Sequence, residues 1–292
     1  MKKIPTALRF LQFRLRFQES ISPVWAGKSA LPYFLTPFRF NRPKREDPSF
    51  YSAKQTEIEV AEKKVVVFEW GEGPSVWLVH GWAGRATQFY KIKDALVEIG
   101  YHVIGFDAPA HGISSGKQTS IVEFGETLRK IHAIYGDPKA YIGHSFGGIV
   151  GFYAHFSGIE IGRFVSIGAP VKSKEIMIEF LQRLSLTKRS YPGFNTAFKK
   201  RFGFELDAYS IQTWIKTSKP KHGLIIHDVE DLDAPIHHSY ALREMLPDYE
   251  YYYTRGLGHN RILGDPVVIE KVIHYIQKEE IPIEQIKNPG KS

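Results

Sequence analysis

The stretch Lys139-Ala-Tyr-Ile-Gly-His-Ser-Phe-Gly-Gly148 constrains this chain more than any other. A short apolar run enters a serine set between Gly143 and Gly147, and Ile149, Val150, Phe152, Tyr153 and Phe156 then recur at helical spacing. Ser145 is therefore expected where a strand turns sharply into a helix, in a strained αL-type backbone. Strand and helix pack so closely at such a turn that no side chain fits two residues to either side. The turn lifts the hydroxyl out of the fold. It also aims the N–H of Phe146, at the helix N-terminus, toward any oxyanion forming beside the serine.

A serine hydroxyl is a poor nucleophile until a base accepts its proton, and the base in turn needs an orienting carboxylate. Gly223 to Asp228 reads as a buried strand, and Asp231 follows in the run His227-Asp-Val-Glu-Asp-Leu-Asp-Ala-Pro235. Tyr249 to Thr254 reads as another strand, ending in Arg255-Gly-Leu-Gly-His259-Asn260. Among the twelve histidines, His132, His155, His274 and the His237–His238 pair fall on expected helices, as surface or satisfied residues. His259 lies just past a strand end between Gly258 and Asn260, in a loop able to reach Ser145, and is the expected base. Asp231 is the preferred acid, with Asp233 next. Asp228 belongs in or at the edge of the strand, and the unused carboxylates read as solvated groups or helix caps near Pro235. A second N–H for the oxyanion comes from the segment Ser75-Val-Trp-Leu-Val-His-Gly-Trp82, where Trp82 would face Phe146 and His80 would brace the loop.

Strands are expected at about 56–61, 64–70, 75–80, 101–106, 139–143, 162–168, 223–228 and 249–254, with the first two antiparallel to the rest. Helical stripes alternate with them, which is the signature of a mostly parallel sheet covered on both faces. One such stripe is Ile121, Phe124, Leu128, Ile131 and Tyr135 behind a Ser120…Glu123 capping box; Asp265-Pro266 opens the last helix. From Val171 to Pro220 the alternation gives way to helical, aromatic-rich sequence. Met177, Phe180, Leu181 and Leu184 form one stripe there, and Phe194, Phe198, Phe202 and Phe204 follow. These residues either pack on the sheet ends or line an acyl or alkyl pocket.

Four stretches carry a family resemblance: His80-Gly-Trp-Ala-Gly-Arg85, Asp107-Ala-Pro-Ala-His-Gly-Ile-Ser114, Gly143-His-Ser-Phe-Gly147, and Asp231 with His259. Over residues 56 to 278 the chain resembles the α/β-hydrolase fold superfamily, whose chain order is likewise Ser, Asp, His. Ala110 stands where the family has glycine. The combination is similar to a bacterial subgroup of esterase-like hydrolases. The resemblance implies an α/β fold: a mostly parallel eight-stranded sheet, helices on both faces and a small helical cap. The corresponding division is an arm at 1–50, a core at 51–170 and 221–280, a cap insertion at 171–220 and a tail at 281–292. It further implies a carboxylesterase acting on a small or medium acyl ester through an acyl-enzyme. Ser145 would be the nucleophile, His259 the base, Asp231 its orienting acid, and Trp82 and Phe146 the oxyanion hole, with no cofactor and no metal. The same machinery would serve a thioesterase or acyltransferase, and a non-catalytic binding protein on this fold is the alternative from another class. A serine at the elbow argues against a haloalkane dehalogenase, which needs aspartate there.

At 292 residues, 43% hydrophobic, the chain has room for one large α/β domain with a modest insertion. It contains no cysteine, which removes disulfides, thiolate chemistry and cysteine metal sites and fits a cytoplasmic location. The net charge is +8, and residues 1–50 hold ten Lys or Arg against Glu19, Glu46 and Asp47, so the basicity belongs to the arm. Nucleic acid is not an expected partner. Neither Leu8 to Phe17, interrupted by arginines, nor Leu31 to Phe38, broken by prolines, approaches the ~20 apolar residues of a membrane span. A signal peptide fits equally poorly. The arm is expected to wrap the domain and bury its aromatics; the alternative lays residues 4–17 on an anionic membrane surface, peripheral to the inner membrane. The sequence leaves the oligomeric state open.

Overall fold

The computed structural model describes residues 6–206 and 210–278. The expected tail at 281–292, the first five residues of the arm and residues 207–209 of the insertion lie outside that range. The strands are β1 (Lys54–Val60), β2 (Lys63–Trp70), β3 (Ser75–Val79), β4 (His102–Asp107), β5 (Ala140–His144), β6 (Arg163–Ile167), β7 (Gly223–Asp228) and β8 (Glu250–Thr254). The helices are α1 (Thr6–Ile21), α2 (Pro23–Phe34), α3 (Asp47–Ser52), α4 (Tyr90–Glu98), α5 (Ile121–Tyr135) and α6 (Phe146–Phe156). After them come α7 (Ser173–Arg183), α8 (Tyr191–Phe202), α9 (Ile211–Trp214), α10 (His237–Met245), α11 (Gly258–Arg261) and α12 (Pro266–Gln277).

All eight strands join one sheet in the order β1-β2-β4-β3-β5-β6-β7-β8. Alternation along the strands makes the sheet apolar on both faces: Trp77 and Val79 of β3 point to one side, Val76 and Leu78 to the other. Each face is therefore covered. Phe124 and Leu128 of α5, Phe152 of α6 and Leu242 of α10 pack on the first, and Ile92 and Leu96 of α4 with Val268, Val272 and Ile276 of α12 pack on the second.

Strands β3 to β8 are parallel to one another, and β2 is antiparallel to β4. The expected opposition of both early strands fails for β1. The two-residue turn of Ala61 and Glu62, at φ +48° and +61°, reverses the chain, so β1 pairs antiparallel with β2 and runs with the parallel strands. The capping box at α5 is also half-formed. Ser120 Oγ accepts the N–H of Glu123, while the Glu123 carboxylate pairs with Lys63 instead of returning to Ser120.

A third cluster joins the arm to the helices between β6 and β7. Leu15, Ala26, Ala30 and Leu31 pack there with Met177, Leu181, Phe194 and Phe198. The arm does pack, but through leucines and α2: Phe10, Phe13 and Phe17 remain 69%, 71% and 59% exposed, contrary to the expectation that its aromatics are buried. The reason is helical phase, because those three residues lie opposite Leu8, Leu11 and Leu15 on α1. Helices α2 and α8 cross in backbone contact. A Cβ on Gly27 would stand 1.9 Å from the Ser190 carbonyl oxygen, and one on Gly193 2.1 Å from that of Val24.

Gly27→Leu is therefore expected to destabilise the fold by about 1–3 kcal/mol, the usual cost of overpacking. The variant should melt earlier and lose the arm faster to trypsin. An unchanged melting temperature with an unchanged cleavage pattern would show that this crossing does not hold the arm.

Candidate active site

The predicted site residues all follow carboxyl ends of the parallel strands: Trp82 after β3, Ser145 and Phe146 after β5, Asp231 after β7 and His259 after β8. In an open α/β sheet this end is where ligands bind. Ser145 has φ +53° and ψ −119°. The positive φ is as strained as expected, but the conformation is the first central position of a type II′ turn, not αL. The flanking glycines are required sterically: a Cβ on Gly143 would lie 2.4 Å from the Gly147 carbonyl oxygen, and one on Gly147 2.0 Å from that of Val79.

Three carboxylates crowd the loop after β7, and geometry separates them. Asp231 is buried; its Oδ1 accepts the N–H groups of Asp233 and Ala234 at 2.8 and 2.9 Å, and its Oδ2 lies 2.7 Å from His259 Nδ1. Burial alone would raise its pKa, but the hydrogen bonds from His259 and the two backbone N–H groups outweigh burial and hold the carboxyl below its ordinary 3.8. Asp233 also borders the cavity, but its carboxylate meets Arg183 at 3.5 Å and is half-exposed. Asp228, the last residue of β7, accepts from Thr254 Oγ1 and from the N–H groups of Leu257 and Glu230, so it ties the β8 end to the β7 end. With Nδ1 of His259 engaged by Asp231, its Nε2 is the nitrogen left for chemistry.

Phe146 is the first residue of α6, so its N–H has no partner in a preceding turn. Among the described residues the N–H of Trp82 has no protein acceptor either. The two rings meet edge to face at 5.4 Å, which puts both residues on one wall.

Buried histidines hold these loops. His80 Nδ1–H donates to the Gly81 carbonyl at 2.7 Å and Nε2 accepts from Ala108 N–H at 3.0 Å. His111 Nε2 accepts from Ala83 N–H at 3.0 Å, next to Trp82. His144 Nε2–H donates to the backbone carbonyl of His259 at 2.8 Å, and His227 Nε2–H donates to that of Ala234 at 2.6 Å. Sequence reasoning anticipated only His80 in such a role. His111, His144 and His227 stand inside or beside the motifs, but nothing in the sequence says which ring nitrogen reaches which loop. Ala110 takes φ +66°, which accounts for the family's glycine at that place.

Ser145, Phe146, Trp82 and His259 share a cavity of about 640 Å³. From the insertion, Ile176, Met177, Phe180, Phe198, Phe202 and Phe204 line it, whereas Phe194 and Leu181 are fully buried in the cluster behind. The arm supplies the wall that sequence reasoning missed. Phe34 stacks on Trp82 with centroids 5.7 Å apart and 13° between planes, and Leu35, Phe38 and Phe40 continue the lining. Nearby, Glu175, His237 and His238 have ligand atoms within 4.8 Å of one another. They suit a metal poorly: His238 Nδ1 accepts the N–H of Val171, so in the neutral ring Nε2 carries the proton and has no lone pair to give.

A family model described as alpha/beta hydrolase fold matches residues 74–220. Two human proteins, Serine hydrolase-like protein and Serine hydrolase-like protein 2, are each 33% identical over 89 residues, 28% of this chain. The match covers 43% and 28% of their lengths, so this chain spans less than half of either relative. Among solved structures, an esterase from Exiguobacterium antarcticum superposes with a TM-score of 0.61 at 17% identity, covering 77% of this chain and 100% of that one. An esterase from Pyrococcus furiosus gives 0.60 at 20% identity, over 83% and 96%. At those identities the likeness is one of fold.

Because the folded-state pKa of Asp231 lies below its unfolded value, its ionisation adds stability above about pH 4, and that contribution is lost as pH falls through the folded pKa. Urea denaturation at stepped pH should show Asp231→Asn less stable than wild type near neutrality, with the gap closing in acid; a pH-independent gap would contradict this. His144→Phe removes the hydrogen bond on the His259 backbone and should lower kcat about 10- to 100-fold with little change in KM. Equal loss in both parameters would argue against a positioning role.

Proposed function

The chain belongs to the α/β-hydrolase fold family, and on that premise we propose that it is a serine hydrolase of the carboxylesterase type. The observation that carries this reading is the His259 ring, held by Asp231 at 2.7 Å and lining the same cavity as Ser145. In this reading His259 Nε2 takes the proton from Ser145 Oγ as the oxygen attacks the ester carbonyl carbon. The carbonyl π electrons move to oxygen, and the N–H groups of Trp82 and Phe146 receive the oxyanion. The intermediate collapses, the carbon–oxygen bond to the leaving alcohol breaks, and His259 returns the proton to that alcohol. A water molecule, deprotonated by His259, then releases the acid and restores Ser145. Asp231 stays ionised throughout and fixes the ring.

The aromatic part of the lining, Phe180, Phe198, Phe202, Phe34 and Phe38, suits an apolar acyl or alkyl group, while Arg85, Glu179, Arg183 and Asp233 give the cavity a charged margin. A medium acyl ester is the class that fits, and the helices at 171–220 act as a cap over it. A thioester would follow the same steps with a thiol leaving, and an alcohol in place of water would make the reaction acyl transfer.

Covalent labelling by a fluorophosphonate tests the nucleophile. Ser145→Ala should abolish labelling and leave the melting temperature near wild type; labelling that persists would place the nucleophile elsewhere. With nitrophenyl esters of rising chain length, kcat/KM should climb and then fall. Asp231→Asn should cost on the order of 10⁴ in turnover, as loss of the histidine-orienting carboxylate does in a serine-protease triad. Asp233→Asn should cost little, and the reverse ranking would reassign the acid.

A further inference from the structure

Helix α1 carries two apolar faces, and only one is used. At roughly 3.6 residues per turn, Leu8, Leu11 and Leu15 fall on one side and Phe10, Phe13, Phe17 and Ile21 on the other. The leucine side is committed to the protein. Leu15 is fully buried, Gln12 Nε2 donates to the Arg183 carbonyl at 3.0 Å, and Glu19 accepts from Thr187 N, Thr187 Oγ1 and Ser190 Oγ at 2.9, 2.9 and 2.7 Å. Those bonds fix the rotation of the helix, so the phenylalanine face cannot turn inward. Phe10, Phe13, Phe17 and Ile21 are 69%, 71%, 59% and 62% exposed, and Trp25 just beyond the turn is 46% exposed.

Charge says what can cover that face. Arg9 and Arg16 flank the stripe on one side and Arg14 on the other, all exposed. Among the described residues neither Arg9 nor Arg16 makes an ion pair. Glu19, the one acid of α1, is spent on the inner side. An aromatic stripe flanked by Arg9 and Arg16 on one side and by Arg14, which also donates to Tyr33 Oη, on the other matches a bilayer surface, where rings enter the acyl boundary and guanidinium groups meet lipid phosphates. A second copy of the chain matches it poorly, since isologous pairing would set the arginines of both copies against one another.

We propose that α1 seats the protein on an anionic phospholipid surface through Phe10, Phe13 and Phe17 with Arg9, Arg14 and Arg16. The seating is independent of Ser145 chemistry, so Ser145→Ala should bind lipid like wild type, and hydrolysis of a water-soluble nitrophenyl ester reports the catalytic reading separately. No helix among the described residues is long and apolar enough to cross a membrane, so the contact is in-plane.

The test is flotation of the full chain with vesicles of phosphatidylcholine alone or mixed with phosphatidylglycerol. Wild type should float with the mixed vesicles and release as salt is raised. Arg9→Gln with Arg16→Gln should lower the partition coefficient about 30-fold. Phe13→Ser with Phe17→Ser should weaken binding at every salt concentration, and both double variants should keep the wild-type melting temperature, because the altered side chains are exposed. Failure to float, equal binding to neutral and anionic vesicles, or variants that bind like wild type would each overturn the proposal. So would a concentration-dependent dimer, seen by sedimentation without vesicle binding and abolished by the phenylalanine changes, which would assign the face to a second copy.

Discussion

A Cβ on residue 147 would stand 2.0 Å from the carbonyl oxygen of Val79 and 2.9 Å from that of His80. The first turn of α6 can meet the end of β3 only because that residue is glycine, and the arrangement of the site follows from this approach. It brings the N-terminus of α6 against the loop carrying Trp82, and Tyr141 Oη secures it by donating to the Gly147 carbonyl at 2.6 Å. Ser145 is then left at the apex with its backbone at positive φ. That strain is sustained because β5, β3 and α6 are each buried on both sides of the turn.

The loops around this apex are tied by histidines in an unusual electrostatic state. Burial drives His111 down to about 4 and His144 to about 3, and it pushes His80 well below the ordinary value. Each ring is therefore neutral across the physiological range, with one N–H donor and one acceptor nitrogen. His80 and His111 use both nitrogens to link backbone groups, and His144 and His227 each donate to a backbone carbonyl of the loops carrying His259 and Asp231. His259 differs in one respect that matters: its partner at Nδ1 is a carboxylate, not a backbone group. One residue type thus serves as scaffold and as proposed base, separated by what faces the ring.

The arm and the insertion form one unit around the cavity. Phe34 of α2 touches Trp82, Phe180 and Phe194, with ring centroids 5.7, 5.1 and 5.5 Å away. The pocket wall is thus shared between the first forty residues and the helices between β6 and β7. Loosening the α2–α8 crossing would therefore alter the pocket as well as the stability. An arm that also met a lipid surface would join membrane seating to the wall of the cavity.

The sequence by itself determined the sheet and the turn. Short apolar runs placed every strand within two residues, and glycine at 143 and 147 marked the elbow because no other residue fits so near a neighbouring backbone. It also placed Ser145, Asp231 and His259 after strand ends, because the apolar runs that mark the strands stop just before them. The direction of β1, which of Asp231 and Asp233 meets His259, and the partners of the buried histidines were decided only in three dimensions. The last two depend on hydrogen bonds between segments far apart in the chain, for which local pattern carries no term, and the first on a tight turn at Ala61 and Glu62 whose positive φ values no glycine announces. The arm shows the same division. Its charge and aromatic content were plain in the sequence, but which face of α1 turned inward was decided by Leu15 and Glu19 finding partners on α7, α8 and the turn between them.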